Sequence, residues 1–218
     1  MKKDSSEKFV ERGVWALLIF VVLLIATAYV IKSGRRRAQD SVGLAGLPLI
    51  SQVTSFEVTN HLGRNIRLPD LLGRVWVADV LFTRCPGPCV QMTRSMNEIR
   101  NRFLDREDIS WLSITTDPEH DTPEVLNAYA TQWAEHPKNW HFVTGSKSVL
   151  KKLAVDDLKL VVVEKDEAQR ASEADLFLHS TKFVLLDRHG RLRGIYEGTE
   201  ASGRETLARD LRILLGER

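Results

Sequence analysis

Cys85-Pro86-Gly87-Pro88-Cys89 is the stretch that decides the fold, and it contains both cysteines of the 218-residue chain. An apolar, β-branched run over 75–82 precedes it and predicts a buried strand. Behind it, apolar residues recur at three- and four-residue spacing, which predicts an amphipathic helix that contains Met92, Met96, Ile99 and Phe103. Pro88 suits the first turn of this helix because no N–H group is needed there. The stretch therefore predicts a strand, a turn with two cysteines, and a helix.

The spacing of the two cysteines limits their chemistry. Cys89 falls near a helix N-terminus, where the macrodipole and the N–H groups of the first turn stabilise a thiolate. Two cysteines four residues apart on a turn can bring their sulfur atoms together, so Cys85 and Cys89 can form a disulfide or share one metal ion. The alternative is a pair of buried thiols that act as small apolar residues. The prolines and the glycine between the cysteines favour the functional interpretation.

The composition, with 43% apolar and 28% charged residues, is that of a globular protein and excludes disorder throughout. The net charge of +2 hides an uneven distribution. Residues 1–37 hold eight of the 31 Lys and Arg residues and three of the 29 Asp and Glu residues, so the remainder has a formal charge of −3. A negatively charged globular part without a basic stripe argues against nucleic acid as a partner.

An uncharged run of 19 residues extends from Gly13 to Ile31. At about 1.5 Å per residue it can nearly cross a hydrocarbon core of about 30 Å. Trp15 and Tyr29 lie near its ends, as aromatic residues at a membrane interface do. A cleaved signal peptide is the alternative, because Ala26-Thr27-Ala28 resembles a cleavage site. The run continues beyond that site before the next basic residues, which favours a retained anchor.

The rest of the chain predicts one domain in which strands and helices alternate. The predicted elements are a hairpin over 53–68, strands over 75–82, 109–115, 140–144 and 158–163, a hairpin over 182–196, and helices that end near 103, 134, 154 and 215. This order predicts an α/β fold with a central mixed sheet flanked by helices on both faces. A strand, a cysteine turn and a helix at its start are the thioredoxin arrangement. We therefore predict a tail over 1–12, a transmembrane helix over 13–31, a linker over 32–52 and a thioredoxin-like domain over 53–218.

Asp79 is an acid in the middle of the apolar strand, where an uncompensated charge is costly. It stands six residues before Cys85, and thioredoxins similarly carry a buried carboxylate six residues before their first motif cysteine. Asp79 could therefore exchange protons with a thiol or tune the pKa of that thiol. The alternative is a residue at the edge of the sheet whose carboxylate reaches water.

Other residues receive structural interpretations. Asp117 is expected to order its loop through turn hydrogen bonds, and His120 to be a solvated residue of the same loop. His61 lies in a predicted hairpin turn, which indicates an exposed side chain. Met92 and Met96 lie on the apolar helix face and are predicted to pack in the core.

Three motifs, in this order, resemble the SCO/SenC family. They are Phe82-Thr83-Arg84-Cys85-Pro86-Gly87-Pro88-Cys89, Ile114-Thr115-Thr116-Asp117-Pro118-Glu119-His120-Asp121-Thr122-Pro123, and His179-Ser180 ahead of a strand. The resemblance covers about residues 53–215, and the predicted anchor also suits the family. It implies a membrane-anchored copper protein with a thioredoxin-like fold that helps to assemble cytochrome c oxidase. It also implies that Cys85, Cys89 and His179 bind the copper.

The chemistry of this ligand set suits copper. Thiolates are soft ligands that favour Cu(I), and an imidazole allows the same site to hold Cu(II). Three protein ligands leave the metal open to ligand exchange, whereas structural zinc normally takes four. The sequence departs from many family members at two positions, with Val90 in place of a proline after the second cysteine and Leu178 in place of an aspartate before the histidine.

The leading hypothesis is therefore a copper metallochaperone, not a classical enzyme, anchored by one helix in the cytoplasmic (inner) membrane. Its globular domain would face the periplasm or outside. It would give copper to an apo-cytochrome c oxidase subunit or another copper acceptor, or keep the cysteines of that subunit reduced. Two alternatives stay open: a thiol–disulfide oxidoreductase or peroxide-reducing thioredoxin relative that uses Cys85 and Cys89 with Asp79, and a redox or copper sensor.

Overall fold

Two fully buried strands form the centre of the sheet, β4 (Val75–Leu81) and β5 (Ile109–Thr115). Their apolar runs carry no polar alternation, which is typical of strands that are covered on both faces. They pair in parallel, with Val75 opposite Ile109 and Leu81 opposite Thr115. The sequence-based predictions of both strands are confirmed.

Eight of the described strands form one mixed sheet, and two more form a separate ribbon. Besides β4 and β5, the strands are β1 (Ser51–Gln52), β2 (Glu57–Asn60), β3 (Asn65–Arg67), β6 (Trp140–Thr144), β7 (Val162–Glu164), β8 (Phe177–His179), β9 (Lys182–Leu186) and β10 (Arg191–Glu197). The order in the main sheet is β1-β10-β9-β4-β5-β6-β2-β3, and β7 pairs with β8 in a separate antiparallel ribbon. β4, β5 and β6 are parallel and β9 is antiparallel to β4, so the prediction of a central mixed sheet is confirmed.

Helices cover both faces of this sheet, as predicted. They are α1 (Leu68–Leu71), α2 (Pro88–Asn101), α3 (Pro123–Ala130), α4 (Lys147–Lys151), which continues as a π-helix (Lys152–Asp157), and α5 (Ala201–Gly216). Apolar residues of α2, α3 and α5 belong to one core cluster, and those of α1, α4 and the π-helix to a second cluster on the other face. Met92 and Met96 have no exposed surface in the first cluster, which confirms that they pack in the core.

The computed structural model describes Thr27 and residues 46–85, 87–133, 139–164 and 177–216. The chain divides into two compact units, Met1–Gly46 and Leu47–Arg218. Among the described residues there is no helix of the length and apolar character needed to cross a membrane. The predicted tail over 1–12, the predicted transmembrane helix over 13–31 apart from Thr27, and the first part of the linker, 32–45, lie outside the described residues.

The structure differs from the sequence prediction between 152 and 163. A strand was predicted over 158–163, but residues 152–157 form a π-helix and the strand β7 begins only at Val162. The N–H of Leu158 donates to the carbonyl of Leu153, and the N–H of Leu160 donates to that of Ala154. These bonds carry Leu158 and Leu160 into the second core cluster, where both are buried. The apolar run therefore packs as a helix end rather than as a strand.

His61 is buried, so the prediction of an exposed turn residue is wrong. β2 pairs with β6, with Asn60 opposite Val143, and this pairing holds the following turn against the sheet. His61 is only 5% exposed, and its Nδ1 accepts a hydrogen bond from the N–H of Phe142 at 3.3 Å. Burial lowers the pKa of His61.

The neighbouring His141 is expected to make the free energy of unfolding depend on pH. Burial, together with the charges of His61 and Arg74, lowers the pKa of His141 from 6.5 to about 4. Between these values the unfolded chain binds more protons than the folded chain, so the free energy of unfolding falls as the pH is lowered through this window. The contribution of His141 alone reaches about 3 kcal/mol near pH 4.

Chemical denaturation of the wild type and of His141→Gln, at neutral pH and near pH 4, measures this loss. The variant should lose less stability on acidification than the wild type, by up to about 3 kcal/mol. His189→Gln is the matched control, because it makes the same replacement at an exposed histidine. Equal losses in the wild type and in His141→Gln would contradict this account.

Candidate metal and thiol site

The two cysteines lie at the carboxyl end of β4, in the turn that leads into α2. The N–H of Cys85 donates to the carbonyl of Phe82 at 3.2 Å, and α2 begins at Pro88, which makes Cys89 its second residue. Both cysteines are in the thiol form, with exposed fractions of 6% and 1%. Gly87 and Pro88 between them are exposed. The thiols therefore lie immediately beneath a surface turn.

The first turn of α2 brings the two cysteines into contact. The N–H of Cys89 points to the sulfur of Cys85, at 3.4 Å from N to Sγ. A side-chain hydrogen bond to Cys85, burial, and electrostatic interactions with Cys85 and Asp79 raise the pKa of the Cys89 thiol. The helix N-terminus was expected to favour a thiolate at Cys89, but the raised pKa points in the opposite direction. Cys89 therefore keeps its proton until a metal ion or an oxidant displaces it.

Asp79 lies beneath this pair of thiols. It has no exposed surface, and its strand runs between β5 and β9 in the interior of the sheet. It points to the same face as Val77 and Leu81, which belong to the core cluster that contains both cysteines. The alternative of an edge residue that reaches water is therefore wrong. The role of Asp79 as a proton partner of a thiol stays a prediction.

Thr93 and Tyr129 continue the polar contacts of this region into α3. The hydroxyl of Thr93 donates to the carbonyl of Cys89 at 2.9 Å and lies 2.9 Å from the hydroxyl of Tyr129. Burial, with the negative charges of Cys89 and Asp79, raises the pKa of Tyr129 to about 12. Tyr129 therefore remains a neutral hydrogen-bonding group at physiological pH.

Asp121 connects the cysteine turn to the loop after β5. Its Oδ2 accepts hydrogen bonds from the N–H of Thr83 at 3.1 Å and from the hydroxyl of Thr115 at 2.5 Å. Its Oδ1 accepts from the hydroxyl of Thr83 at 2.5 Å and lies 3.0 Å from Nδ1 of His120. The side chain has no exposed surface. A fully buried carboxylate therefore holds the chain two residues before Cys85.

Asp117 makes a second connection between the same two segments. Its Oδ2 accepts hydrogen bonds from Nη2 and Nε of Arg84, at 2.6 and 3.2 Å. Its carbonyl accepts from the N–H groups of His120 and Asp121, which confirms that Asp117 orders its loop. Ligand atoms of Asp117, His120 and Asp121 lie within 4.8 Å of one another. Because Arg84, Thr83 and Thr115 already engage these carboxylates, we assign the cluster a positioning role.

The backbone of His179 lies in β8, opposite Val162 of β7, and the N–H of Ser180 donates to the carbonyl of Val161. Val162 lines a cavity of about 150 Å³ together with Thr115, Thr116 and Pro118. Thr115 pairs with Leu81, directly ahead of the cysteine turn. The strand partner of His179 is therefore at the edge of the sheet where the cysteines lie. The imidazole of His179 is outside the described part of the chain.

Comparison with protein families decides the classification. The family model for SCO1/SenC matches residues 49–216, which is most of the chain and includes the cysteine turn, the loop after β5 and β8. The chain belongs to the SCO1/SenC family. The resemblance inferred from the three motifs is therefore confirmed.

Known relatives agree with this classification. The SCO1 protein homolog of Bacillus subtilis is 30% identical over 167 residues, which cover 76% of this chain and 83% of the relative. The solved structure of BsSco, described as a member of the Sco family of cytochrome c oxidase assembly proteins with a disulfide switch, is 27% identical with a TM-score of 0.67. It covers 79% of this chain and 99% of BsSco. ScoI of Bradyrhizobium japonicum, solved with copper bound, is 20% identical with a TM-score of 0.62, covers 74% of this chain and 98% of ScoI, and shows the common fold.

In this SCO1/SenC protein, the hydrogen-bonding role of Asp121 was not predicted from the sequence. Asp121 lies just before the N-cap of α3, which is Thr122, whose hydroxyl accepts from the N–H of Val125. One signal was available. Asp121 follows β5 closely, and the carboxyl ends of neighbouring parallel strands meet at one edge of a sheet, so a polar contact with the cysteine turn could have been anticipated.

Proposed function

We propose that this SCO1/SenC protein is a membrane-anchored metallochaperone that carries copper to an apo-cytochrome c oxidase subunit or another copper acceptor. The observation that carries the proposal is the pair of thiols, Cys85 and Cys89, in contact beneath one exposed turn. They are the only cysteines of the chain, so no further thiolate completes a structural zinc site.

The donor set fits copper as a cargo. Two thiolates are soft ligands that favour Cu(I), and one imidazole extends the range of the site to Cu(II). A site with two thiolates and His179 leaves a coordination position for a ligand of the acceptor, which transfer requires. Binding displaces the thiol protons, and the raised pKa of Cys89 makes protons effective competitors of the metal.

We assign His179 as the third ligand. The strand partner of His179, Val162, lies next to Thr115 and Thr116, and Thr115 pairs with the last residue of β4. The backbone of His179 therefore approaches the edge of the sheet from which Cys85 follows. Because β7 and β8 form a ribbon separate from the main sheet, His179 can approach that edge without any change in the main sheet.

For the location, we propose the arrangement that the sequence favours. Residues 13–31 form a single anchor in the cytoplasmic (inner) membrane, after a tail over 1–12, and a linker over 32–52 leads to a domain over 53–218 outside the cytoplasm. An uncharged segment of 19 residues supports the anchor. Reporter fusions at residue 40 test the orientation, because an external linker gives activity only to a reporter that functions outside the cytoplasm.

The decisive experiment is a gene deletion followed by measurement of cytochrome c oxidase activity with and without added copper. The proposal predicts low activity in the deletion strain, recovery on addition of copper, and complementation by the wild type but not by Cys85→Ser. Met96→Leu is the matched control, since it changes a buried sulfur residue that the proposal excludes from the site. Undiminished oxidase activity in the deletion strain at limiting copper would refute the proposal.

A thiol–disulfide oxidoreductase is the second candidate, and the position of Asp79 favours it. The buried carboxylate influences the pKa of Cys89 and could accept the proton of this thiol as the thiol reacts. In such a reaction the two thiols become one disulfide, and two electrons and two protons pass to the disulfide of the substrate, which becomes a dithiol. Fast reduction of insulin disulfides that is insensitive to His179→Ala would favour this function over copper transport.

A further inference from the structure

A cleft of about 590 Å³ lies at the edge of the sheet opposite the cysteines. It lies where the parallel strands β4, β5 and β6 begin, whereas Cys85 follows the end of β4. We call it the arginine cleft after the basic residues that line it. Its arginine and histidine lining residues are Arg64, Arg74, Arg100, Arg106, His61 and His141.

Arg100 is the most unusual of these residues. It lies in the last turn of α2, is only 8% exposed, and stacks its guanidinium over the ring of Trp140 at 5.9 Å from the ring centroid. No carboxylate among the described residues pairs with it, and burial is what lowers its pKa. A buried cation without a counter-ion is costly, so the cleft gains from an anion that enters it.

Arg74 also lines the arginine cleft, and Asn139 holds it in position. Its Nη1 donates to Oδ1 of Asn139 at 3.1 Å, and the carbonyl of Asn139 accepts from the N–H of Trp111 at 2.7 Å. Asn139 adopts a positive φ of 61°, a conformation that asparagine tolerates better than most residues. In the described part of the chain Arg74 has no acidic partner. Asn139 therefore orients the guanidinium group, and no carboxylate neutralises its charge.

The remaining charges do not cancel these two cations. Arg106 is paired with Asp108 at 2.7 Å, whereas Arg64 is exposed and has no acidic partner within the described ranges. Glu107 is the one acidic residue among the described lining residues. The arginine cleft therefore has an excess of positive charge.

The pKa of His141 is consistent with this excess of positive charge. The charges of Arg74 and His61 contribute, after burial, to the lowered pKa of His141. Nδ1 of His141 lies 3.4 Å from Nδ2 of Asn60, an amide that can donate to a neutral imidazole. Neutral histidines add hydrogen-bonding groups to the cleft without adding charge.

We propose that the arginine cleft binds a phosphate-bearing ligand, held by Arg74 and Arg100 with Arg64 at the rim. Guanidinium groups match phosphate oxygens with two parallel hydrogen bonds. The volume exceeds that of a single phosphate ion, which favours a pyrophosphate or an organic phosphate group. The phosphate can belong to a soluble anion or to the headgroup of an anionic lipid. This proposal is independent of the copper site, because none of the proposed copper ligands lines the cleft.

Titration of the metal-free full chain with pyrophosphate, in a neutral detergent, tests the proposal. Binding is measured by calorimetry and by the NMR titration of His141. The bound anion should offset the charge of Arg74 and raise the pKa of His141 from about 4 toward its ordinary value of 6.5. A purely structural role of the arginines would leave this pKa unchanged on addition of pyrophosphate.

Two variants and one control assign the effect to the cleft. Arg74→Gln and Arg100→Met should each weaken pyrophosphate binding by at least about tenfold, because each removes a charged hydrogen-bonding group. Arg102→Gln is the matched control. Arg102 lies directly after the end of α2, forms an ion pair with Glu205 and does not line the cleft. Its affinity should equal that of the wild type. If Arg100→Met fails to fold, Arg74→Gln alone decides, because Arg74 is only partly buried.

Reconstituted vesicles distinguish the two sources of phosphate. The full chain is placed in phosphatidylglycerol vesicles and in phosphatidylcholine vesicles, and the pKa of His141 is compared. A raised pKa in phosphatidylglycerol alone, lost in Arg74→Gln, supports a lipid headgroup, whereas a rise only with pyrophosphate supports a soluble anion. No change with either ligand, or unchanged binding in both arginine variants, overturns the proposal.

Discussion

Replacing Cys85 or Cys89 by serine is expected to abolish stoichiometric copper binding. A hydroxyl is a hard and weakly acidic donor that does not replace a thiolate for Cu(I). Loss of an outer-shell partner alone commonly costs about 10–100-fold in metal affinity, so loss of a ligand should cost more than about 100-fold. Competition titration with a chromophoric Cu(I) chelator on the reduced full chain measures the affinity. The wild type should bind one copper ion per chain.

His179→Ala should also lower the affinity for copper by more than about 100-fold if the imidazole is a ligand. His189→Ala is the matched control, because His189 is exposed in the turn between β9 and β10. Binding of copper by His179→Ala with wild-type affinity and stoichiometry would remove this residue from the site. The two thiols would then remain as the proposed ligands.

Thermal unfolding provides an independent readout of the same prediction. A ligand that binds only the folded chain stabilises it by about 2.7 kcal/mol at a concentration 100 times its Kd. Copper should therefore raise the Tm of the wild type and of Met96→Leu, but not that of Cys85→Ala or Cys89→Ala. The alanine variants also serve as a comparison for the serine variants. If both lose copper binding, the loss of the thiolate is responsible, and not the buried hydroxyl of the serine. An equal rise of Tm in all variants would place the metal elsewhere.

The sequence predicted the parts of this fold that depend on local patterns. The mainly apolar runs of β4 and β5 predict strands covered on both faces, and the spacing of Met92 and Met96 predicts the buried side of α2. Pro88 marks the first turn of α2 because the chemistry of a helix start is local. These predictions required no knowledge of distant contacts.

The features that the sequence did not predict depend on residues far apart in the chain. His61 is buried because β2 pairs with β6, about 80 residues away, and no turn composition reports that pairing. Asp121 contacts Thr83 across 38 residues of sequence. The arginines and histidines of the arginine cleft come from four separate segments, and each arginine alone would be interpreted as a solvated surface charge. The burial of His61, the contact of Asp121 with Thr83 and the arginine cleft all depend on tertiary contacts.

Asp121→Ala is expected to be the most destabilising single change near the thiols. It removes the acceptor of three hydrogen bonds and leaves the hydroxyls of Thr83 and Thr115 without their carboxylate. Removal of one partner from a buried charged network costs about 3–5 kcal/mol. Because a domain of this size loses about 2–4 °C of Tm per kcal/mol, the Tm should fall by roughly 6–20 °C.

Glu205→Ala and Asp121→Asn separate this effect from a general loss of negative charge. Glu205 forms an ion pair with Arg102 at the surface, and such pairs contribute about 0–1 kcal/mol, so its replacement should hardly change the Tm. Asp121→Asn keeps one acceptor oxygen and should lie between Asp121→Ala and the wild type. Equal Tm values for Asp121→Ala and Glu205→Ala would show that the loop after β5 does not depend on this carboxylate.

The variant Asp121→Ala also tests whether the loop after β5 keeps the cysteine turn in position for copper binding. Thr83 lies two residues before Cys85, and the carboxylate of Asp121 holds both its N–H and its hydroxyl. When this support is removed, the turn gains freedom that copper binding must then restrict. The copper affinity of Asp121→Ala should therefore fall by about 10–100-fold, the range typical of an outer-shell partner, while the stoichiometry stays at one ion per chain. Unchanged affinity in a variant with a lowered Tm would mean that the turn is ordered by α2 alone, through the contact between the N–H of Cys89 and the sulfur of Cys85.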